Sequence, residues 1–148
     1  MKKYGDLEIT ILSCLLQKPE LMEQITLEDK HFVNYQKIWR FMKVFYDRYK
    51  NFDPETMYAI SNNKFQIANY IVELTNVEPA VWNFNKYQEQ LKFLYNESQK
   101  EKWIIGKVYD ATMELWVRKK TTKEFKARIE EIYKNAEEIF KRGKDKND

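Results

Sequence analysis

The sequence predicts an all-α protein, a helical head followed by a projecting antiparallel helical hairpin, and three observations carry that reading. Only three Gly and three Pro occur in 148 residues, whereas β folds need turn residues every few positions. Apolar residues recur at alternating three- and four-residue spacing, which lines one face of a helix. Charged residues make up 33% of the chain and fall largely opposite those positions, as solvated helix faces do. One domain with an appendage is expected at this length. A content of 43% hydrophobic and 16% aromatic residues is enough for a real core.

Each element follows from local signals. Asp6 is a candidate cap for a first helix through about Gln17, with Leu7, Ile11, Leu12, Leu15 and Leu16 facing inward. Lys18-Pro19-Glu20 breaks it. A short segment from Leu21 to Ile25 and a polar connection from Thr26 to Asn34 follow. The clearest helix places Tyr35, Ile38, Trp39, Met42, Phe45, Tyr46 and Tyr49 on one face, against Lys37, Arg40, Lys43, Asp47 and Arg48. Asp53-Pro54-Glu55 is an N-cap with proline at the first helical position, opening a short helix to about Ile60 that Ser61-Asn62-Asn63 stops. Ile67, Ala68, Ile71 and Leu74 define the next helix, and Thr75 to Asn83, with Pro79, a loop.

A long helix then starts near Asn83 or Asn85, with Phe84, Tyr87, Leu91 and Leu94 on its apolar face. The rhythm lapses at Ser98 and Glu101, where the chain is expected to leave a head (1–97) for a hairpin (98–142), before a frayed polar tail (143–148). Val117 to Thr121 makes the turn, and Thr121 with Glu124 fits a capping box. Ile105, Val108, Thr112 and Leu115 line the outgoing helix, and Phe125, Ile129, Ile132, Ala136 and Ile139 the returning one. Apolar side chains still span about half the outgoing circumference at about 100° per residue. Ile104 and Ile105 are placed on one flank, Tyr109, Met113 and Trp116 on the other, with Tyr133 and Phe140 beside the returning stripe. A hairpin hides one stripe per helix, so the surplus calls for a partner. Ile105, Tyr109, Met113, Trp116, Phe125, Ile129 and Tyr133 are the candidate interface, and a homo-oligomer, dimer or higher, is the expected result.

Chemistry is hard to find in this chain. Gly106-Lys107 and Gly143-Lys144 lack the preceding glycine and following hydroxyl of a phosphate-binding loop. His31 lies near Glu28 and Asp29, but a closed metal site needs further ligands that no motif supplies. Glu130-Glu131 and Glu137-Glu138 have Lys134, Lys141 and Arg142 at ion-pair spacing and are read as solvated. Cys14, the one cysteine, sits on an apolar face as a small hydrophobe and fits a reducing compartment. No catalytic residue, metal or cofactor is expected, nor a signal peptide or membrane span, and a cytoplasmic protein is. Net charge is +3. Arg118, Lys119, Lys120, Lys123 and Lys126 cluster at the turn as candidate contacts to nucleic-acid phosphates or to an acidic protein.

The order of these segments resembles the N-terminal domain of DnaB-type replicative DNA helicases. Leu7-Glu8-Ile9-Thr10-Ile11-Leu12-Ser13-Cys14-Leu15-Leu16 is similar to that family's opening helix. Leu27-Glu28-Asp29-Lys30-His31-Phe32 and Lys37-Ile38-Trp39-Arg40-Phe41-Met42 look like its Phe-containing turn and Ile-Phe helix. Asn69-Tyr70-Ile71-Val72-Glu73-Leu74, Glu78-Pro79-Ala80 and Tyr87-Gln88-Glu89-Gln90-Leu91-Lys92 match the later landmarks, with a hairpin to follow. The family's Gly-Gly before the Tyr-Leu helix is missing, Asn62-Asn63-Lys64 giving a shorter connection, and the sequence ends where a linker to an ATPase domain would begin.

The resemblance implies a head and hairpin that assemble rings as a trimer of dimers and recruit primase or loader proteins. The function expected is a noncatalytic DNA-replication factor, a stand-alone, phage-type adaptor or regulator of helicase, primase and helicase-loader assembly (the primosome). The alternatives are a DNA-binding protein using the basic turn, or the N-terminal fragment of a complete replicative helicase.

Overall fold

A computed structural model describes residues 3–61, 65–117 and 120–145. Those residues contain helices and turns and no strand. The chain divides into two compact units, Met1–Lys92 and Phe93–Asp148. The division falls five residues before the expected head boundary at 97, because the burial that defines the first unit ends with Leu91.

In the first unit α1 spans Tyr4–Gln17. Its run from Thr10 to Leu15 is buried all round, as suits a central helix. It starts a turn earlier than Asp6, behind Lys3, whose side chain makes no capping bond. Asp6 instead lies in the first turn, where its carboxylate favours the helix dipole and its carbonyl accepts from the Thr10 hydroxyl at 2.8 Å. Leu16, expected inside, is only half-buried, whereas Glu8 is fully buried. Pro19 opens a 3₁₀ helix, Pro19–Gln24, and a 3₁₀ turn covers Asp29–His31.

Helix α2, Gln36–Tyr49, buries Ile38, Trp39, Met42, Phe45 and Tyr46, and ends on Lys50 in the left-handed conformation (φ 57°). Its expected face is seated as the spacing requires, except that Tyr49 stays exposed. Trp39 stacks on Phe32 with ring centres 4.4 Å apart. Helix α3, Pro54–Ile60, is capped by Asp53, which accepts from the Thr56 amide at 3.1 Å. Its stop at Asn62-Asn63 lies outside the described residues. Helix α4, Phe65–Thr75, packs against α1 and α3, and the Ser13 hydroxyl of α1 donates to the Leu74 carbonyl at 3.2 Å.

Helix α5 runs unbroken from Phe84 to Val117, so Ser98 and Glu101 interrupt its apolar rhythm but not its backbone. In the first unit it buries Phe84, Gln88 and Leu91. Gln88 is a side-chain strap: its carbonyl accepts from the Thr26 amide at 2.8 Å and its amide donates to the Gln24 carbonyl at 3.2 Å. The last helix, α6, spans Thr122–Asp145. It opens with the expected box, the Glu124 amide donating to the Thr121 hydroxyl at 3.1 Å and the Thr121 amide to the Glu124 carboxylate at 3.3 Å. It continues to Asp145, past the expected hairpin end at 142.

Candidate protein-interaction surface

The candidate surface belongs to the second unit, where α5 and α6 run antiparallel. Asn96 donates its side-chain amide to the Phe140 carbonyl at 3.2 Å, Trp103 meets Phe140 edge-on, and Lys100 pairs with Glu137. Ala111, Ile132 and Ala136 are the buried side chains among the described residues of this unit. Ile104, Val108, Thr112 and Leu115 of α5 and Phe125, Ile129 and Phe140 of α6 are half-buried along the seam.

Two seam assignments differ from expectation. Ile139 is exposed and Phe140 takes the inner place. Ile105, whose spacing admits it to the seam flank and which is also a candidate interface residue, is exposed, with Ile104 and Val108 half-buried in the seam beside it.

Of the seven candidate interface residues, Ile105, Tyr109, Met113, Trp116 and Tyr133 are exposed, while Phe125 and Ile129 are half-buried in the seam. Trp116 keeps 82% of its surface in solvent, Ile105 68% and Tyr109 64%. Val117, exposed beside Trp116, extends the stripe and went unnoticed in the sequence because it was assigned to the turn.

Arg118 and Lys119 lie outside the described residues. Lys120, Lys123 and Lys126 are exposed, but carboxylates are interleaved among them. Lys120 approaches Glu124 at 3.7 Å, and Arg128 pairs with Glu131 at 3.3 Å. A shallow hollow at this end is lined by Glu114, Glu124 and Glu131 as well as Lys120 and Arg128. The Thr121 hydroxyl and amide hold the Glu124 carboxyl below its ordinary value, so that negative charge persists beside the lysines.

The Glu28–His31 loop has structural duties in the first unit. The Glu28 amide donates to His31 Nδ1 at 2.9 Å, and burial holds the imidazole below its ordinary pKa, ahead of repulsion from Lys30. A neutral imidazole that accepts at Nδ1 is the consistent state. Asp29 accepts from Trp39 Nε1 at 2.8 Å, Arg40 Nε at 3.2 Å and Lys43 Nζ at 2.6 Å. Its carboxyl is lowered chiefly by the Lys43 bond. Cys14 is buried. No described helix is long and apolar enough to cross a membrane.

Glu8, overlooked in the sequence, accepts from the Asn34 amide at 2.9 Å, the Asn34 side chain at 2.7 Å and the Tyr35 amide at 3.3 Å. It thereby supplies the N-terminal cap that Tyr35 does not give α2. Burial nevertheless raises its carboxyl above the ordinary value.

The DnaB-like helicase N terminal domain family model matches residues 2–93, which is the first unit almost to its boundary and does not include the hairpin. Neither a curated protein nor a solved structure matches the chain. The sequence landmarks from Leu7 to Leu91, the helical head they fold into and this family match agree: the chain belongs to the DnaB-like helicase N-terminal domain family, a family tied to the helicases of DNA replication.

Proposed function

We propose that the chain is a noncatalytic replication factor that works by protein contact, pairing through the exposed stripe of its hairpin. The partner is a second copy or the equivalent domain of a replicative helicase, and the pairing regulates how helicase, primase and loader assemble. The observation that carries this reading is the row Ile105, Tyr109, Met113 and Trp116, exposed along one face of α5. Projected at about 100° per residue, that row is displaced from the α5 seam in the same rotational sense as Tyr133 from the α6 seam. In an antiparallel pair of right-handed helices, displacements of like sense fall on one broad side, so Tyr133 joins the row.

Magnitudes favour a partner with a stripe of its own. Covering the exposed part of such side chains is worth roughly 1–2 kcal/mol each. Four residues on one copy give roughly 4–8 kcal/mol, which the association cost of about 4–15 kcal/mol can cancel. Two like stripes double the gain and bring it above most of that range.

The interleaved carboxylates at the turn weigh against a DNA-binding reading, which would need a cationic face. Pull-down with replicative helicase, primase and loader tests the proposal. Capture of one of them by the wild type, lost in Trp116→Glu, is the expected result. Capture of none, together with tight and steeply salt-dependent DNA binding, would replace it.

A further inference from the structure

The stripe on α5 carries an oxidisable thioether. Met113 keeps 44% of its surface in solvent. Tyr109 stands four residues before it and Trp116 three after it, the spacing of neighbours on one helix face. The other sulfur atoms among the described residues are placed differently. Met42, Met57 and Cys14 are fully buried in the first unit, and Met22 is half-buried in its 3₁₀ helix. A thioether reacts with a dissolved oxidant without first losing a proton, so access ranks these sites, and Met113 comes first.

Oxidation changes what the side chain can do in a contact. Methionine packs as an apolar group, and its soft sulfur favours aromatic neighbours. The sulfoxide is polar and hydrogen-bonds to water. Covered by an apolar surface, it loses those bonds without replacement.

We infer that Met113 is an oxidation-sensitive release point of the hairpin contact, with a hydroperoxide as the oxidant. This rests on the proposed pairing through the stripe. The Sδ lone pair attacks one peroxide oxygen and forms the S–O bond as the O–O bond breaks. The proton left on the new S–O group passes to the departing hydroxide and gives water. Sulfur is oxidised by two electrons and the peroxide is reduced by two. Pairing covers Met113, so the separated chain is the form that reacts, and the sulfoxide holds the chain in that form. Association therefore protects the thioether, and oxidation draws chains out of the paired pool.

Light scattering before and after treatment with hydrogen peroxide, with peptide mapping by mass spectrometry, tests the inference on the full chain. Peroxide should weaken self-association of the wild type at least about tenfold, the effect of one polar group buried without partners. Met22→Leu should respond as the wild type does. Met113→Leu, which keeps size and apolar character, should associate normally and go on associating after treatment. Met113→Gln should be weakened with no oxidant present. The gain of one oxygen at Met113 should precede that at Met22 and slow as chain concentration rises. Release of Met113→Leu to the same extent as the wild type overturns the inference, as does complete oxidation of Met113 with association unchanged; both leave the pairing intact. A wild type at single-chain mass before any peroxide is added overturns the pairing, and this inference with it. The untreated sample thus reads the pairing and the treated one the release.

Discussion

The two units of this chain solve the helix-packing problem to different degrees. In the first unit α1 to α4 each bury side chains, and polar groups that enter the interior arrive with partners: Glu8 on the start of α2, Gln88 on Thr26, Asp29 on Trp39. Among the described residues no buried side-chain nitrogen or oxygen is left without a hydrogen bond. Among the described residues of Phe93–Asp148 three side chains are fully buried, two of them alanine, while Ile105, Tyr109, Met113 and Trp116 of α5 face solvent. A buried polar group is costly unless bonded, so the first unit's network specifies one packing. A helix surface left apolar has no such specification until another surface meets it. The first unit covers its apolar faces; the second leaves a stripe of large apolar side chains exposed.

That contrast can be broken most forcefully from the head side. Trp39→Ala removes a buried, stacked ring and one of the three side-chain bonds to the Asp29 carboxylate, and should cost roughly 3–5 kcal/mol in urea unfolding. The same kind of truncation on the stripe should behave in the opposite way. Trp116→Glu is expected to leave unfolding within about 0.5 kcal/mol of wild type while weakening association at least about tenfold, the loss expected of a central interface aromatic. An unfolding penalty comparable to that of Trp39→Ala would place Trp116 in a core instead.

Thr121→Ala removes the cap of α6 and should cost about 1 kcal/mol, felt in hydrogen exchange of the hairpin and not of the head. Gly106→Ala tests the outer side of α5, where an added Cβ meets nothing within 4 Å. It should raise helix stability by roughly 0.5–1 kcal/mol.

The smallest effect concerns pH, and two carboxyls of the head oppose each other. Burial raises the Glu8 carboxyl, so the folded state holds its proton more tightly than the unfolded one. Its contribution is complete below the unfolded pKa and is lost as pH rises through the raised folded value. Asp29 is lowered, chiefly by Lys43. Its contribution is complete above the unfolded pKa and is lost as pH falls through the depressed folded value. Glu8→Gln should therefore gain on wild type as pH rises through the carboxyl range, and Asp29→Asn should lose on it over the same rise. Denaturation at a series of pH values reads both slopes.

Much of the helix layout was legible because its signals are local. Asp53-Pro54 and Thr121 with Glu124 lie within three residues of what they cap, and the face from Ile38 to Tyr46 is set by spacing alone. What stayed hidden depends on distant partners. Glu8 reaches residues 26 and 27 positions away, and Gln88 one 62 positions away, so neither could be told from a solvated side chain. The α1 start was misplaced because its N-terminus lacks a side-chain cap. On the hairpin, which residues are apolar was readable, but their division between seam and stripe was not. Ile139 and Phe140 lie about equally far on either side of the α6 seam at about 100° per residue, so spacing alone did not choose between them.

Light scattering of the wild-type chain and of Trp116→Glu over a wide concentration range tests the central claim most directly. The account expects the wild type to rise above single-chain mass as concentration increases and the variant to stay near it, with equal helicity for both. A wild type that remains at single-chain mass throughout, even at high concentration, would contradict it.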